Sequence, residues 1–490
     1  MCDEPFCSPS LLSPPGRRPR LWRRGAPGAP STYPPDRSRG FADATWPTEH
    51  ADGWRTHAVA TGLPSDVAKL KLHAATATMP PVPVWGYVGT GRNVYVIGGS
   101  PYLLDVFTEL IQGAPTKSTP LLTIRSKKYS ETVTPYVARI DTKTMKVTQL
   151  PLTQGTSANY TYAVDRATLY KIDLSTFTIV ASVALPPAPD TSGQPNEQTA
   201  YNGIQVTGEG DLILKGWAST GGGNLPPGIL LRIDPNDLST KAQLVTTDVA
   251  AARMALAVVD GAEYLYFPDQ KQSVRFLLGT NSFTLDAGFT KTYLTAKGTT
   301  EASSDAYMGR GVVFATNTDP TATSLMQVFA QGNGGTPFRA TQAFSSNGAG
   351  WNFFMVAGDP YKSGIVAVQD QLSGHIAGYQ ACAGGRSVKK LWEHDAIASS
   401  AGMAINYNAG QPYADDPRCS SATKCTFYLD VLSLRSGKKL ADVKVKGQSC
   451  RCSRAGSGVR GGDLRIGQAT SARVRPFVMA ALRWRSRRVR

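Results

Sequence analysis

Carboxylates flank two of the five histidines of this 490-residue chain, in the stretches EHAD at residues 49–52 and EHD at residues 393–395. An imidazole beside a carboxylate can act as a general base, because the nearby negative charge raises its pKa. Neighbouring side chains of a strand point to opposite faces, so His394 and Asp395 would not meet on one strand. The sequence favours a solvated polar turn at both stretches. The alternative is a binding site at a rim, formed in part by His394 and Asp395.

A second candidate is the aromatic stretch GWNFF, which begins at Gly350. Trp351 and Asn352 could contact a ligand, whereas strand alternation assigns Phe353 to the core. The candidate ligand-binding residues are therefore Trp351, Asn352, His394 and Asp395. They do not include a complete catalytic set, and no spaced metal-binding motif occurs among the five histidines.

Two cysteines close together, Cys419 and Cys425 in CSSATKC, flank a predicted turn. In an oxidising compartment this spacing allows a disulfide, whereas in the cytosol it would suggest a metal site. No histidine or further cysteine pair nearby completes a zinc set. We therefore predict a Cys419–Cys425 disulfide and an exported protein, extracellular or periplasmic, although no signal peptide is recognisable.

The net charge of +16 is concentrated at the two ends of the chain. Residues 1–40 hold seven Arg against three acidic residues, and residues 451–490 hold eleven Arg against one. Neither end contains a Lys or a periodic apolar pattern, so both are predicted to be disordered tails. The near-neutral region between them, residues 41–450, is predicted to fold as a monomer. Its charge disfavours nucleic-acid binding, and only the C-terminal tail could touch an anionic membrane surface.

Short strands joined by polar turns repeat through residues 41–450. The repeat consists of an alternating strand, a turn, and a strand that often ends in Ile-Asp, as in YTYAVDRATLYKIDL from Tyr160. The anchor positions of the seven copies are Asn93, Tyr162, Leu212, Tyr264, Val312, Phe353 and Phe427. The spacing of the middle copies is close to the ~40–50 residues of a propeller blade. Asp141, Asp173 and Asp234 end three of these strands, and we expect each to bond the turn backbone two residues on.

The sequence therefore predicts an all-β fold, a β-propeller of seven blades. Eight blades are the alternative, if residues 371–424 contain a further sheet. Loops from every blade meet at the mouth of the central channel, so a ligand or partner there is contacted by several blades at once.

The blade pattern resembles that of the quinoprotein-like β-propellers, which read as Gly, a strand, Ala-x-Asp, then Thr-Gly-Lys and a strand. The stretches that carry the resemblance are GIVAVQDQLSGHIAGY from Gly364 and VLSLRSGKKLADV from Val431. The resemblance implies a propeller and allows pyrroloquinoline quinone with calcium as cofactor. Two departures weaken that implication: the chain has no Cys-Cys dipeptide, and only Trp392 resembles the Trp that closes most repeats of the family.

These observations favour a non-catalytic binding or scaffold protein that takes a protein or small-molecule ligand at the channel mouth, without a cofactor. The competing interpretation is an enzyme, either a quinone-dependent dehydrogenase or a propeller hydrolase that uses rim carboxylates and a metal.

Overall fold

The computed structural model describes the backbone of most of the region between the tails. The described residues are 58–59, 63, 65–69, 72–78, 84–90, 93–98, 136–151, 160–165, 167–173, 176–190, 192–197, 199–218, 227–246, 254–259, 261–268, 272–289, 291–292, 302–307, 311–316, 327–332, 339–342, 354–359, 362–370, 375–381, 388–395, 404–421, 424–445 and 478–483. The predicted N-terminal tail, residues 1–40, lies outside them.

The first half of the described chain forms three sheets. Before them come β1 (Ala58–Val59), a 3₁₀ turn (Val67–Lys69) and β2 (His73–Thr78). Sheet 1 consists of β3 (Val84–Thr90), β4 (Asn93–Gly98), β5 (Tyr136–Asp141) and β6 (Val147–Pro151). Sheet 2 consists of β7 (Tyr160–Asp165), β8 (Thr168–Asp173) and β9 (Thr178–Ala184). Sheet 3 consists of β10 (Thr199–Val206), β11 (Leu212–Ala218), β12 (Ile229–Ile233) and β13 (Thr240–Val245).

The second half forms four more sheets. Sheet 4 consists of β14 (Ala255–Val259), β15 (Ala262–Pro268), β16 (Gln272–Gly279), β17 (Ser282–Leu285) and the short β18 (Lys291–Thr292), which pairs with β16. Sheet 5 consists of β19 (Ala302–Tyr307), β20 (Gly311–Thr316), β21 (Gln327–Gly332) and β22 (Arg339–Gln342). Sheet 6 consists of β23 (Phe354–Asp359), β24 (Ile365–Asp370), β25 (His375–Ala381) and β26 (Val388–Asp395). Sheet 7 consists of β27 (Ala404–Asn406), β28 (Gln411–Ser421), β29 (Lys424–Leu432) and β30 (Lys439–Val445), with β1 added beside β27. A last strand, β31 (Val478–Arg483), pairs with β2.

The predicted all-β fold and the propeller architecture are confirmed, and the described residues contain no α-helix. Five sheets are complete meanders of four consecutive antiparallel strands, namely sheets 1, 3, 4, 5 and 6. The structure thus gives five blades of regular form, fewer than the seven or eight predicted. Sheet 2 has three strands, and sheet 7 takes its edge strand β1 from the start of the chain. Residues 371–424 contribute strands to sheets 6 and 7, so they add no eighth sheet within the described residues.

The repeat assignment was wrong at its last two anchors. Four of the first five anchors lie in the second strand of sheets 1, 3, 4 and 5. The anchor Phe353 instead precedes β23, which is the first strand of sheet 6. The anchor Phe427 lies in β29, the third strand of sheet 7. Alternating apolar strands look alike in sequence, so the pattern identified strands without identifying their order in a sheet. Because Phe353 and Phe427 do not lie in second strands, the spacing between the last anchors of the repeat is uneven.

A five-residue turn recurs after the third strand of sheets 1 and 3 and after β8 in sheet 2. Asp141 Oδ1 accepts hydrogen bonds from the amides of Lys143 at 2.8 Å and Thr144 at 3.0 Å. Asp234 Oδ1 accepts one from the Asn236 amide at 2.8 Å. The predicted turn-capping bond two residues on is confirmed at Asp141 and Asp234, whereas Asp173 Oδ1 accepts from the Thr176 amide, three residues on, at 3.3 Å. In sheet 7 the same turn begins with a serine and keeps the same backbone hydrogen bonds.

The fifth residue of each turn has a left-handed backbone: φ is 58° at Met145, 56° at Phe177, 64° at Leu238 and 68° at Gly437. A side chain in this conformation costs about 1–2 kcal/mol. Burial of a large apolar side chain, which contributes ~1.5–3 kcal/mol, offsets that cost at Phe177 and Leu238. Both side chains pack against the preceding sheet: Phe177 lies 5.8 Å from the Tyr95 ring, and Leu238 shares a cluster with Leu169.

A basic residue two positions before the turn aspartate contacts the corresponding turn of the next sheet. The Arg139 guanidinium lies 4.9 Å from the centre of the Phe177 ring. Lys171 Nζ donates to the carbonyl oxygens of Pro235 at 2.8 Å and Asn236 at 3.2 Å. The motif ARID, YKID and LRID therefore does more than end a strand, because its basic residue joins one sheet to the next.

Sheet 7 is also joined to the N-terminal segment. The Leu63 amide donates to the Tyr413 hydroxyl at 2.9 Å, and Asn406 Nδ2 donates to the Leu63 carbonyl at 2.9 Å. Leu63 and Val67 pack with Val431 on the same face of the sheet. Residues more than 340 positions apart thus form one buried contact, which ties the start of the propeller to its end.

The predicted C-terminal tail differs from expectation in one place. Within residues 451–490, strand β31 pairs antiparallel with β2 over six residue pairs. The sequence VMAALR contains a short apolar run that a composition dominated by arginine conceals. The rest of this tail lies outside the described residues.

We predict that Tyr413→Phe lowers the free energy of unfolding by about 1–3 kcal/mol, because it leaves the buried Leu63 amide without its acceptor. Thermal denaturation measures the loss. In a Leu63→Pro background the amide is already gone, so the same substitution should cost less, namely only the hydrogen bond that the Tyr413 hydroxyl donates to Gln411 Oε1 at 3.2 Å. An equal loss in both backgrounds would contradict the role given to this hydrogen bond.

Cys419 and Cys425 are direct register partners on β28 and β29. Opposite residues of an antiparallel pair have Cα atoms ~4.5–5.5 Å apart, within the ~7 Å limit for a disulfide. We therefore keep the prediction that they are bonded. Thiol counting on the denatured, unreduced protein should find both blocked, and Cys419→Ser should release Cys425. Alkylation of both cysteines without reductant would refute the disulfide.

Candidate functional site

A cluster of charged side chains on sheet 7 is the strongest candidate site among the described residues. Asp416 and Arg418 come from β28, Asp430 from β29, and Lys439 and Asp442 from β30. Register partners share a face, so the pairs Asp416–Tyr428 and Asp430–Asp442 place these side chains on one side of the sheet. We call this set the carboxylate cluster.

Arg418 is the centre of the cluster. Its guanidinium contacts Asp416 Oδ2 at 2.6 Å, Asp442 Oδ2 at 2.6 Å and Asp430 Oδ1 at 3.2 Å. The guanidinium carbon also lies 3.7 Å from the centre of the Tyr428 ring, a cation–π contact. A planar group with five N–H donors suits such a site, because one side chain can reach several carboxylates.

Lys439 completes the cluster on its outer side. Its ammonium lies against Asp430 Oδ2 and 3.4 Å from Asp416 Oδ2. Asp416 is 5% exposed and Asp430 is fully buried, whereas Arg418, Lys439 and Asp442 reach solvent. Three carboxylates thus share two cations, and the two inner carboxylates are the buried ones.

Burial raises the pKa of Asp430 to about 6, and the negative charge of Asp416 adds to this effect against the opposing influence of Lys439 and Arg418. Burial opposes the charge of Arg418, but its hydrogen bonds to Asp442 and Asp416 outweigh that effect and raise its pKa. The cluster can therefore hold a proton at mildly acidic pH. Its cations are already occupied by its own carboxylates.

His394 and Trp392 border sheet 7 from the last strand of sheet 6. Trp392 Nε1 donates to the Leu434 carbonyl at 2.8 Å, and the His394 and Trp392 rings are 5.7 Å apart. A Cβ added to Gly437 would lie 2.6 Å from both rings. The end of sheet 6 therefore packs against the turn of sheet 7 at Leu434 and Gly437.

Of the four sequence-predicted ligand residues, the structure describes His394 and the backbone of Asp395. His394 is exposed on β26, and Asp395 follows it as the last residue of that strand. Trp351 and Asn352 lie outside the described residues. The side chain of Asp395 lies outside the described residues.

Sequence reasoning missed a second buried charge network, on sheet 3. Asp211, which is 3% exposed, pairs with Arg232 Nε at 2.7 Å and with Lys241 Nζ at 2.7 Å. Arg232 also reaches Glu209 at 2.7 Å and donates to the Gly279 carbonyl in the turn of sheet 4. A signal was present in the sequence, because arginine and lysine at the alternating inward positions of a strand imply buried partners.

Within the described part of the chain, no group of three or more His, Cys, Asp or Glu side chains is arranged to hold a metal ion. Over the same residues no helix has the length and hydropathy needed to cross a membrane.

No family model and no curated protein matches the chain. Among solved structures, it is similar to a quinohemoprotein alcohol dehydrogenase from Comamonas testosteroni, with 11% identity over 83% of this chain and 74% of the other, and a TM-score of 0.49. A quinohemoprotein alcohol dehydrogenase from Pseudomonas putida gives 10% identity, 83% and 72% coverage, and the same TM-score. A periplasmic gluconolactonase from Pseudomonas aeruginosa gives 13%, 66% and 96%, with a TM-score of 0.39. Two of these are quinoproteins, the class that the blade pattern resembles, but likeness at this level gives no information about activity.

The Trp392 contact generates a prediction with a matched control. Gly437 and Gly410 both have positive φ, 68° and 63°, but a Cβ at Gly410 would have no atom within 4 Å. Gly410→Ala should therefore lower stability by about 1–2 kcal/mol, the cost of the backbone conformation alone. Gly437→Ala should cost clearly more, because its Cβ also displaces two rings.

Melting temperatures of the two variants measure this difference. In a Trp392→Leu background the excess cost of Gly437→Ala should shrink towards that of Gly410→Ala. Equal losses for both glycines in the wild-type background would show that sheet 6 does not press on this turn.

Proposed function

We propose that the protein is a non-catalytic β-propeller scaffold that binds a ligand or partner protein at the mouth of its central channel. The proposal rests on one observation: the buried charged side chains are paired with other charged side chains of the same chain. Asp211, Arg232 and Asp430, each no more than 3% exposed, pair with charges of the chain itself. Charges committed to stabilising contacts support a structural role, because a catalytic acid or base must instead face its substrate.

We also propose that the seven sheets form the blades of one ring. Sheet 2 would be an incomplete blade, and sheet 7 would be closed by β1, which pairs parallel to β27. The support for this is the chain of contacts from one sheet to the next and the bonding of Leu63 to Tyr413 and Asn406. Pairing of an N-terminal strand with the last sheet would close the ring, and a closed ring leaves only short, protected strand edges.

Export from the cytoplasm belongs to the same proposal. It is supported by the register pairing of Cys419 with Cys425, because a cross-strand disulfide persists in oxidising compartments. The ligand is unidentified, and Trp351, Asn352, His394 and Asp395 are the residues proposed to contact it.

The test separates a scaffold from a quinone enzyme. Purified protein mixed with pyrroloquinoline quinone and calcium should show no bound-quinone absorbance and no dye-linked oxidation of alcohols or sugars. A quinone needs a stacking partner on each face and polar groups at its carbonyls. A known quinone dehydrogenase treated in parallel controls for cofactor quality. Stoichiometric uptake with turnover would replace the scaffold by a dehydrogenase.

A further inference from the structure

Asp430 occupies a position that other sheets fill with uncharged residues. Counted back three residues from the start of the five-residue turn, the corresponding residues are Ala138 in sheet 1, the half-buried Tyr170 in sheet 2 and Leu231 in sheet 3. Ala138, Leu231 and Asp430 are fully buried. A carboxylate at such a position loses its hydration and is costly unless it is paired or protonated.

The positive charges around Asp430 do not balance the negative charges of the carboxylate cluster. Arg418 and Lys439 provide two positive charges, whereas Asp416, Asp430 and Asp442 provide three negative charges when all are ionised. Asp416 and Asp430 share both cations and are the two buried members. Two carboxylates that share a site repel each other, so that one of them binds a proton more readily than an isolated acid.

We propose that the Asp416–Asp430 pair is a proton-binding site that makes the packing of sheet 7 sensitive to pH. With one proton bound, two carboxylates face two cations and the cluster is neutral. Without that proton, the cluster carries one uncompensated negative charge, part of it on a fully buried residue.

The direction of the pH effect follows from the pKa of about 6 that burial gives Asp430. Because an unfolded Asp titrates near 3.9, folded sheet 7 binds the proton more tightly than an open one does between pH ~4 and ~6. The stability contributed by this proton is complete below pH ~4 and is lost as the pH rises through about 6. Sheet 7 is therefore more firmly packed in mildly acidic solution than at pH 7.

Other charged groups near the cluster are few. From sheet 6, His394 lies on the side that faces sheet 7, as its contact with Trp392 and the site of Gly437 require. Lys390 and Glu393 of the same strand pair with each other at 2.7 Å. On the opposite face of sheet 7, the N-terminal segment presents Asp66 and Lys69, which are both exposed. Lys444 of β30, the exposed register partner of Tyr428, lies on the face of the cluster. Within the described residues, Asp430 forms its ion pairs with Arg418 and Lys439.

Sheet 7 is also the sheet that holds the N-terminal segment. Val431, the neighbour of Asp430, packs on Leu63 and Val67 across the other face. Loss of the proton should therefore loosen the contact between the two ends of the propeller as well as the cluster itself.

Hydrogen exchange measured by mass spectrometry tests the proposal on the full-length protein. After correction for intrinsic exchange rates, amides of 424–445 in the wild type should lose about tenfold in protection between pH 5 and pH 7, the part of the linkage that falls in this range when the pKa is raised from about 3.9 to about 6. Asp430→Asn and Asp430→Leu should show no such loss, since neither side chain titrates. The leucine variant copies Leu231 and guards against a folding defect specific to asparagine.

Asp442→Asn tests the charge count, because it removes one of the three negative charges of the cluster. It should reduce the dependence on pH without abolishing it, since burial alone still raises the pKa of Asp430. His394→Gln is the control that should keep the full dependence, which excludes imidazole titration as the source. Equal pH dependence in the wild type and both Asp430 variants, or a wild type whose protection does not change, would overturn the proposal.

Discussion

The contact between each five-residue turn and the sheet before it is the interaction on which the assembly depends. Sheets of a propeller are joined by short connections, so their packing must be fixed by side chains that cross from one to the next. Arg139 and Lys171 each contact the turn of the following sheet. Phe177 and Leu238 each pack against the preceding sheet. The left-handed conformation of the turn is the constraint that aims its fifth residue at the preceding sheet.

At sheet 7 the fifth residue of the turn makes a different contact with the preceding sheet. Sheet 6 contributes Trp392 instead of a strand-borne cation, and its indole occupies the space that a Phe or Leu of the turn would need. Glycine at position 437 is the necessary complement, because it accepts positive φ and leaves room for the ring. One turn geometry therefore accepts two kinds of contact, provided that the two partners change together.

The sequence allowed the strands, the turns and the propeller class to be predicted, because alternation and the Ile-Asp ends are local signals. It did not allow the blade count or the order of strands, since β23 and β29 resemble second strands although one is first and the other third. The carboxylate cluster also escaped prediction. Asp416, Arg418 and Asp430 are scattered along a polar stretch and meet only through the register of β28 and β29.

The buried charged side chains make directional contacts, which the apolar faces of the sheets do not. Sheets lined by Leu, Ile, Val and Ala on both sides could pack in several orders with similar burial, because apolar contact is not directional. A guanidinium such as Arg232, which must reach both Asp211 and the Gly279 carbonyl of the next sheet, is satisfied by one neighbour only. Any other order leaves a buried cation without part of its partners, a cost of several kcal/mol. The charge network on sheet 3 therefore acts against wrong arrangements of the sheets more than it adds to the stability of the right one.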